Sequence, residues 1–191
     1  MITYNFGYRP EGTGTGADIS GLDENKLLAQ NSTRALISYA INRSTAAHYY
    51  SSALDAEDVT KSSLLRNIYT ANDLALDDNG KDYTDYIKTS YGTKVQNVAT
   101  QMGQSLTSDE LAAQEALTDN GQDLYLQNDY LAYASLTDDT LKQEFISDQS
   151  VEAKIQTLIK QVNLDRSVNG IKDNVKFRFL ENGALKTTFL P

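Results

Sequence analysis

Residues 83–106 read YTDYIKTSYGTKVQNVATQMGQSL. Within them Tyr83, Ile87, Tyr91, Val95, Val98, Met102 and Leu106 recur at spacings of three and four. On a helix of 3.6 residues per turn that spacing gathers all seven on one face, whereas a half-buried strand needs alternation at every second residue. The stretch therefore predicts a long amphipathic helix. Gly92 and Gly103 interrupt it, each weakening a helix by about 1 kcal/mol relative to alanine. They read either as points of close helix–helix approach or as fraying.

The same period extends in both directions. Upstream, Leu28, Leu36, Tyr39, Ala40, Ala47, Tyr50 and Leu54 predict one helix from about Asp23 to Leu54. Asp55 is then suited to cap a second helix with Val59, Leu65, Ile68, Tyr69 and Leu76 on its inner face. Asp77-Asp78-Asn79-Gly80 supplies a stop, because Asn and Gly tolerate the left-handed conformation that closes a helix. Downstream, Ser108 opens a short helix that Thr118-Asp119-Asn120-Gly121 closes, and residues 122–136 form the next. Thr137 or Asp138 caps a helix containing Leu141, Phe145 and Ile146. Asp148 or Ser150 caps the last, where Val151, Ile155, Leu158, Ile159 and Val162 form the stripe and Asn169-Gly170 the end.

Both chain ends change period. Tyr4, Phe6 and Tyr8 alternate with polar residues ahead of Pro10 and the flexible Gly12-Thr13-Gly14-Thr15-Gly16. That glycine run follows no buried strand, so it does not match a dinucleotide loop. Val175, Phe177 and Phe179 also alternate, and Asn182-Gly183 is a strong hairpin turn signal. The expected fold is thus mainly α: a compact bundle of five to seven helices with a C-terminal β-hairpin over about 175–190. An extended aromatic and glycine-rich arm over 1–21 precedes a helical domain over 22–191.

With 191 residues the chain is long enough for one domain with a substantial core. Its net charge is −9 and its mean hydropathy −0.48. Such an acidic chain, with no dense Lys/Arg cluster, is not expected to bind nucleic acid or an anionic membrane surface. No apolar run approaches the length of a membrane-spanning helix, so no membrane insertion is expected. The N-terminal residues have neither the basic nor the apolar region of a signal peptide. The chain then reads as cytoplasmic or virion-borne, or as a mature ectodomain with an added Met1.

Zero cysteines exclude disulfides, thiol nucleophiles and Cys-based metal sites. His48 is the only histidine, which excludes two-His metal sites and leaves one imidazole base for any hydrolase. The acidic loops fail as EF-hands, since Ala75 and Tyr86, or Ala116 and Gln127, fall where the first and twelfth ligands belong. A looser oxygen-ligand site at Asp77, Asp78, Asn79 and Asp82 competes with helix capping by the same residues. Nothing marks out a carboxylate pair among 26 acidic residues. No catalytic or metal-binding residue and no cofactor is therefore expected, and no binding residue is singled out.

Tyrosine stands out, with twelve against five Phe. Tyr49, Tyr50, Tyr83, Tyr86, Tyr91, Tyr125, Tyr130 and Tyr133 all fall on expected helices. Tyrosine suits an interface because its ring is apolar while its hydroxyl stays hydrated; it equally suits the rim of a core. These observations favour a non-enzymatic structural or protein-interaction module with a protein partner or self-association. Its expected setting is extracellular, on a cell surface, or in a phage virion. The alternatives are a ligand-binding or sensor ectodomain with a pocket between helices, and a small hydrolase using His48 or a carboxylate pair.

Overall fold

The computed structural model describes residues 12, 14–16, 21–65, 67, 73–116, 128–172, 179–181 and 184–186. Most of the expected arm over 1–21, and much of the expected hairpin over 175–190, lie outside them. Among the described residues the chain is mainly helical. Eight helices follow in order: α1 (Asp23–Ala29), α2 (Asn31–Ala40), α3 (Arg43–Ser51), α4 (Tyr83–Gln101), α5 (Ser108–Ala116), α6 (Asp129–Tyr133), α7 (Asp139–Ser147) and α8 (Val151–Val168). Phe179–Glu181 (β1) and Ala184–Lys186 (β2) pair antiparallel, with Leu180 opposite Leu185.

The count exceeds seven because the helix expected over 23–54 is three helices. Gln30 takes an extended conformation between the first two. The carbonyls freed there find side-chain donors: Arg34 Nη1 bonds Leu28 O at 2.7 Å and Gln30 Nε2 bonds Lys26 O at 3.3 Å. Ile41 and Asn42 are extended as well, and the Asn42 side chain accepts from Thr45 N at 2.9 Å, capping α3. Asparagine competes for backbone hydrogen bonds and so starts a new helix where an apolar stripe alone would continue the old one.

The helix expected from Asp55 onward is absent over residues 52–65, which form turns. Asp55 accepts from Ser63 N at 2.8 Å and Asp58 from Thr60 N at 2.9 Å, so these carboxylates fold the chain back. Leu65 is buried, but Val59 and Leu76 are exposed, and Ile68 and Tyr69 lie outside the described residues. Asp77–Gly80 ends no helix either. It turns the chain between Leu76 and Asp82, which form an isolated antiparallel bridge.

The stripe in α4 divides. Val95, Val98 and Met102 are buried, Ile87 and Tyr91 half-buried, and Tyr83 exposed. The helix stops at Gln101, short of Leu106, because Gly103 takes φ +74°. Gly103 N bonds Thr100 O at 3.0 Å and Gln104 N bonds Ala99 O at 2.8 Å, completing a Schellman cap. Gly170 (φ +62°) closes α8 in the same way, through Gly170 N to Ser167 O and Ile171 N to Arg166 O. Of the caps read from sequence, Asp138 starts α7 and Ser150 starts α8. Gly92 is buried at a close approach, since a Cβ there would meet the Glu115 side chain of α5.

The main core joins Tyr39 of α2, Val98 and Met102 near the end of α4, Ala132 and Tyr133 of α6, Leu136, Phe145 of α7 and Leu158 of α8. A second cluster of Leu27, Val162 and Ile171 seals the end where α1 meets α8. Phe145→Ala should lower the unfolding free energy by about 3–5 kcal/mol, through lost transfer energy and a cavity. Leu54→Ala, at a site 78% exposed, should change it by less than about 0.5 kcal/mol. Urea unfolding of both variants tests this, and equal losses would mean that the core lies elsewhere.

Candidate functional site

His48 lies on α3, and its Nδ1 is 3.1 Å from Lys61 O. A carbonyl only accepts, so Nδ1 carries the proton in this bond. Nearby, Ser51 and Ser62 share a hydrogen bond at 2.9 Å and both are buried. Asp55 is held below the ordinary carboxylate range, chiefly by the Ser51 hydroxyl and then by Ser63 N–H. Histidine, serine and aspartate thus cluster, but in an order unsuited to nucleophilic catalysis. The serine hydroxyl serves the carboxylate, and the histidine serves the backbone. Among the described residues no serine or threonine hydroxyl bonds the imidazole. The cluster ties the end of α3 to the turns that follow.

The Asp77–Asp82 segment is similarly occupied. Asp77 Oδ1 accepts from Asn79 N and Lys81 N, both at 2.8 Å, and Oδ2 accepts from Tyr86 OH at 2.6 Å. Asp82 caps α4 through Thr84 N and Thr84 Oγ1, each at 2.7 Å, and also accepts from Asp73 N. The donors hold both carboxylates below their usual range: the Tyr86 hydroxyl first for Asp77, Asp73 N–H first for Asp82. Capping and turn formation account for these residues. No group of three or more His, Asp or Glu is arranged to hold a metal ion among the described residues. The second acidic stop signal, Thr118–Gly121, falls outside them.

Among the described residues, an ion pair between Lys154 and Asp129 reaches the interior, and the sequence does not anticipate it. Lys154 of α8 is 4% exposed. Its Nζ lies 2.6 Å from Asp129 Oδ2, 3.0 Å from Gln149 Oε1 and 5.5 Å from the centre of the Phe145 ring. Tyr39 OH donates to the other oxygen of Asp129 at 2.9 Å. Burial, the Asp129 hydrogen bond and the Asp129 charge push the Tyr39 hydroxyl well above the ordinary tyrosine range. Further along α8, Ser32 bonds Asp165, and fully buried Gln161 bonds Asp165 at 2.9 Å and Thr137 at 2.8 Å. Through these bonds α8 is tied to α2, to α6 and to the turn ahead of α7. The only sequence signal for the pair was a lysine standing beside an apolar stripe.

The tyrosines divide by role. Tyr39 and Tyr133 are buried. Half-buried Tyr91 accepts from Asn128 Nδ2 at 2.8 Å, and Tyr130 OH donates to Gln104 Oε1 at 3.2 Å. These are core-rim residues. Tyr49 and Tyr50, each 79% exposed, stand edge-to-face with centroids 5.1 Å apart. Leu54 and Val59 follow at 78% and 65% exposure. A second and less exposed group of four, Leu74, Leu76, Tyr83 and Tyr86, flanks the start of α4. Tyr50 and Leu54 are thus on the surface, against the expectation of an inner face, because α3 ends at Ser51 and the chain turns away. Large apolar side chains left together in water mark interaction surfaces. No family model, curated protein or solved structure matches the chain. No helix among the described residues is long and apolar enough to cross a membrane.

The Tyr39–Asp129–Lys154 arrangement has a signed consequence for stability. In the unfolded chain the Tyr39 hydroxyl loses its proton near pH 10. In the folded chain it holds that proton to higher pH, so the native state binds more protons there. Its contribution is complete below about pH 10 and is lost as pH rises toward the folded pKa. Urea unfolding between pH 8 and 11 should therefore show a decline that is shallower in Tyr39→Phe. A decline of the same slope in both proteins would show that Tyr39 is not its source.

Proposed function

We propose that the chain is a non-enzymatic protein-interaction module whose contact surface is the end of α3 and the turns after it. The observation that carries this reading is the exposure of Tyr49, Tyr50, Leu54 and Val59 within eleven consecutive residues, 49–59. A helix that ends early and leaves two touching aromatic rings in water gains nothing for its own core. The same rings are suited to anchoring a partner, since aromatic side chains dominate binding energy at interfaces. The engagement of His48 with a backbone carbonyl favours this reading over hydrolysis. An extracellular, cell-surface or virion setting belongs to the same proposal, and its support is the absence of cysteine.

An unbiased peptide library panned against the immobilised chain tests the proposal. It should return binders whose affinity falls by about tenfold or more, at least 1.4 kcal/mol, in Tyr49→Ser/Tyr50→Ser. The variant should keep its helical circular dichroism, because neither ring is buried. Binders indifferent to the variant would place the contact surface elsewhere. Turnover of activated esters that disappears in His48→Ala would replace the interaction reading with hydrolysis.

A further inference from the structure

We propose that this surface receives a cationic, apolar segment of a protein partner, one that presents Lys or Arg beside aliphatic side chains. The inference rests on the interaction-module reading and adds the partner's chemistry. Residues 49–60 hold the four exposed apolar side chains together with Asp55, Glu57 and Asp58, and they contain no Lys or Arg. Lys61, at the margin, pairs with Asp58 at 3.3 Å, which leaves the surface with an excess of negative charge. Internal donors hold Asp55 and Asp58 below the usual carboxylate range: the Ser51 hydroxyl first for Asp55, the Thr60 hydroxyl first for Asp58. Both therefore stay ionised while they shape the turn.

Two physical effects then favour a cation. Carboxylates around an apolar patch attract a basic segment and orient its approach. The face of a tyrosine ring also attracts an ammonium or guanidinium group. The chain itself contains that contact, with Lys81 Nζ 4.2 Å from the centre of the Tyr86 ring. A second copy of the chain fits less well. Each copy carries −9, and joining the two surfaces sets carboxylates against carboxylates.

The test uses the full chain and two fluorescent synthetic peptides with identical apolar residues, one bearing Lys at its polar positions and the other Glu. Binding is read by anisotropy for the parent chain, Tyr49→Ser/Tyr50→Ser, Glu57→Lys, and Asp139→Lys as a remote change of equal charge. Asp139 is exposed on α7. The Lys peptide should bind the parent at least about tenfold more tightly than the Glu peptide. It should weaken with salt, with loss of the two tyrosines and with Glu57→Lys, and remain unaffected by Asp139→Lys. Circular dichroism should show the same helix content for all four proteins, with a slightly lower melting temperature only for Asp139→Lys, which gives up its Lys142 pair at the start of α7. Equal weakening by Asp139→Lys and Glu57→Lys would reduce the effect to bulk charge and overturn the inference. Equal binding of both peptides, lost with the tyrosines, would overturn the cationic preference and leave the interaction surface standing. So would failure of both peptides while library binders still depend on Tyr49 and Tyr50. A concentration-dependent dimer in sedimentation, abolished by the tyrosine variant, would assign the surface to a second copy and overturn the inference as well.

Discussion

Phe145 of α7 is withdrawn from water, and side chains of three other helices meet around it. Tyr39 of α2 and Tyr133 of α6 stand edge-on to its ring at centroid distances of 6.4 and 6.2 Å. Lys154 of α8 holds its ammonium 5.5 Å from the ring centre. Edge-on arrangements place the positive rim of one ring against the negative face of another. The lysine extends the same electrostatics. A buried ammonium is strongly unfavourable unless it is paired, and here Asp129 and Gln149 supply the pairing. Asp129 then recruits the hydroxyl of Tyr39, so the ring that packs on Phe145 also closes the polar network. Apolar packing and the ion pair are thereby coupled through the same side chains. Removing Asp129 is the costlier loss, since it leaves the buried Lys154 ammonium with Gln149 alone, whereas Asp129 is a third exposed.

Around this centre, polar side chains define where each helix starts. Asn42, Asp82, Asn128, Asp138 and Ser150 each accept a backbone N–H at a helix N-terminus. Asp55, Asp58 and Asp77 fold the turns. An acidic chain rich in Asn, Ser and Thr thus uses much of its polarity on its own backbone. The oxygens of Asp77 and Asp82 are engaged by N–H and O–H donors of the chain itself. The exposed rings of Tyr49 and Tyr50 lie outside this scheme: they neither pack in the core nor cap an element. That contrast, more than any motif, separates them as candidates for contact with another molecule.

Much of the helical architecture was legible because it depends on neighbours in sequence. Leu158 and Val162 of α8, its Asn169-Gly170 stop, one of the two cap residues read for each of α7 and α8, and the central part of α4 follow from period and local hydrogen bonding, whereas Val151 at the head of the α8 stripe is exposed. Where reading failed, a local competitor outweighed the period. Asn42 and the extended Gln30 broke a continuous apolar stripe, and Asp55 with Asp58 turned an expected helix into consecutive turns. Gly103, noted in the sequence as a weak point, became the true end of α4.

The amino-acid sequence by itself determined that this chain is mainly helical, carries −9 and has no cysteine chemistry, since composition and a 3.6-residue period need no tertiary partner. Which tyrosines are core and which are surface was decided only by the tertiary structure. Tyr39 and Tyr50 lie on one expected apolar stripe and are equivalent by spacing, and Tyr133 is placed by the sequence only within a helix. Tyr39 and Tyr133 are buried because Phe145 stands between them, and Tyr50 is exposed one residue from the end of α3. The pairing of Lys154 with Asp129 is likewise a property of the fold. It joins residues 25 positions apart, and only the packing of α6 against the core brings their charges to 2.6 Å.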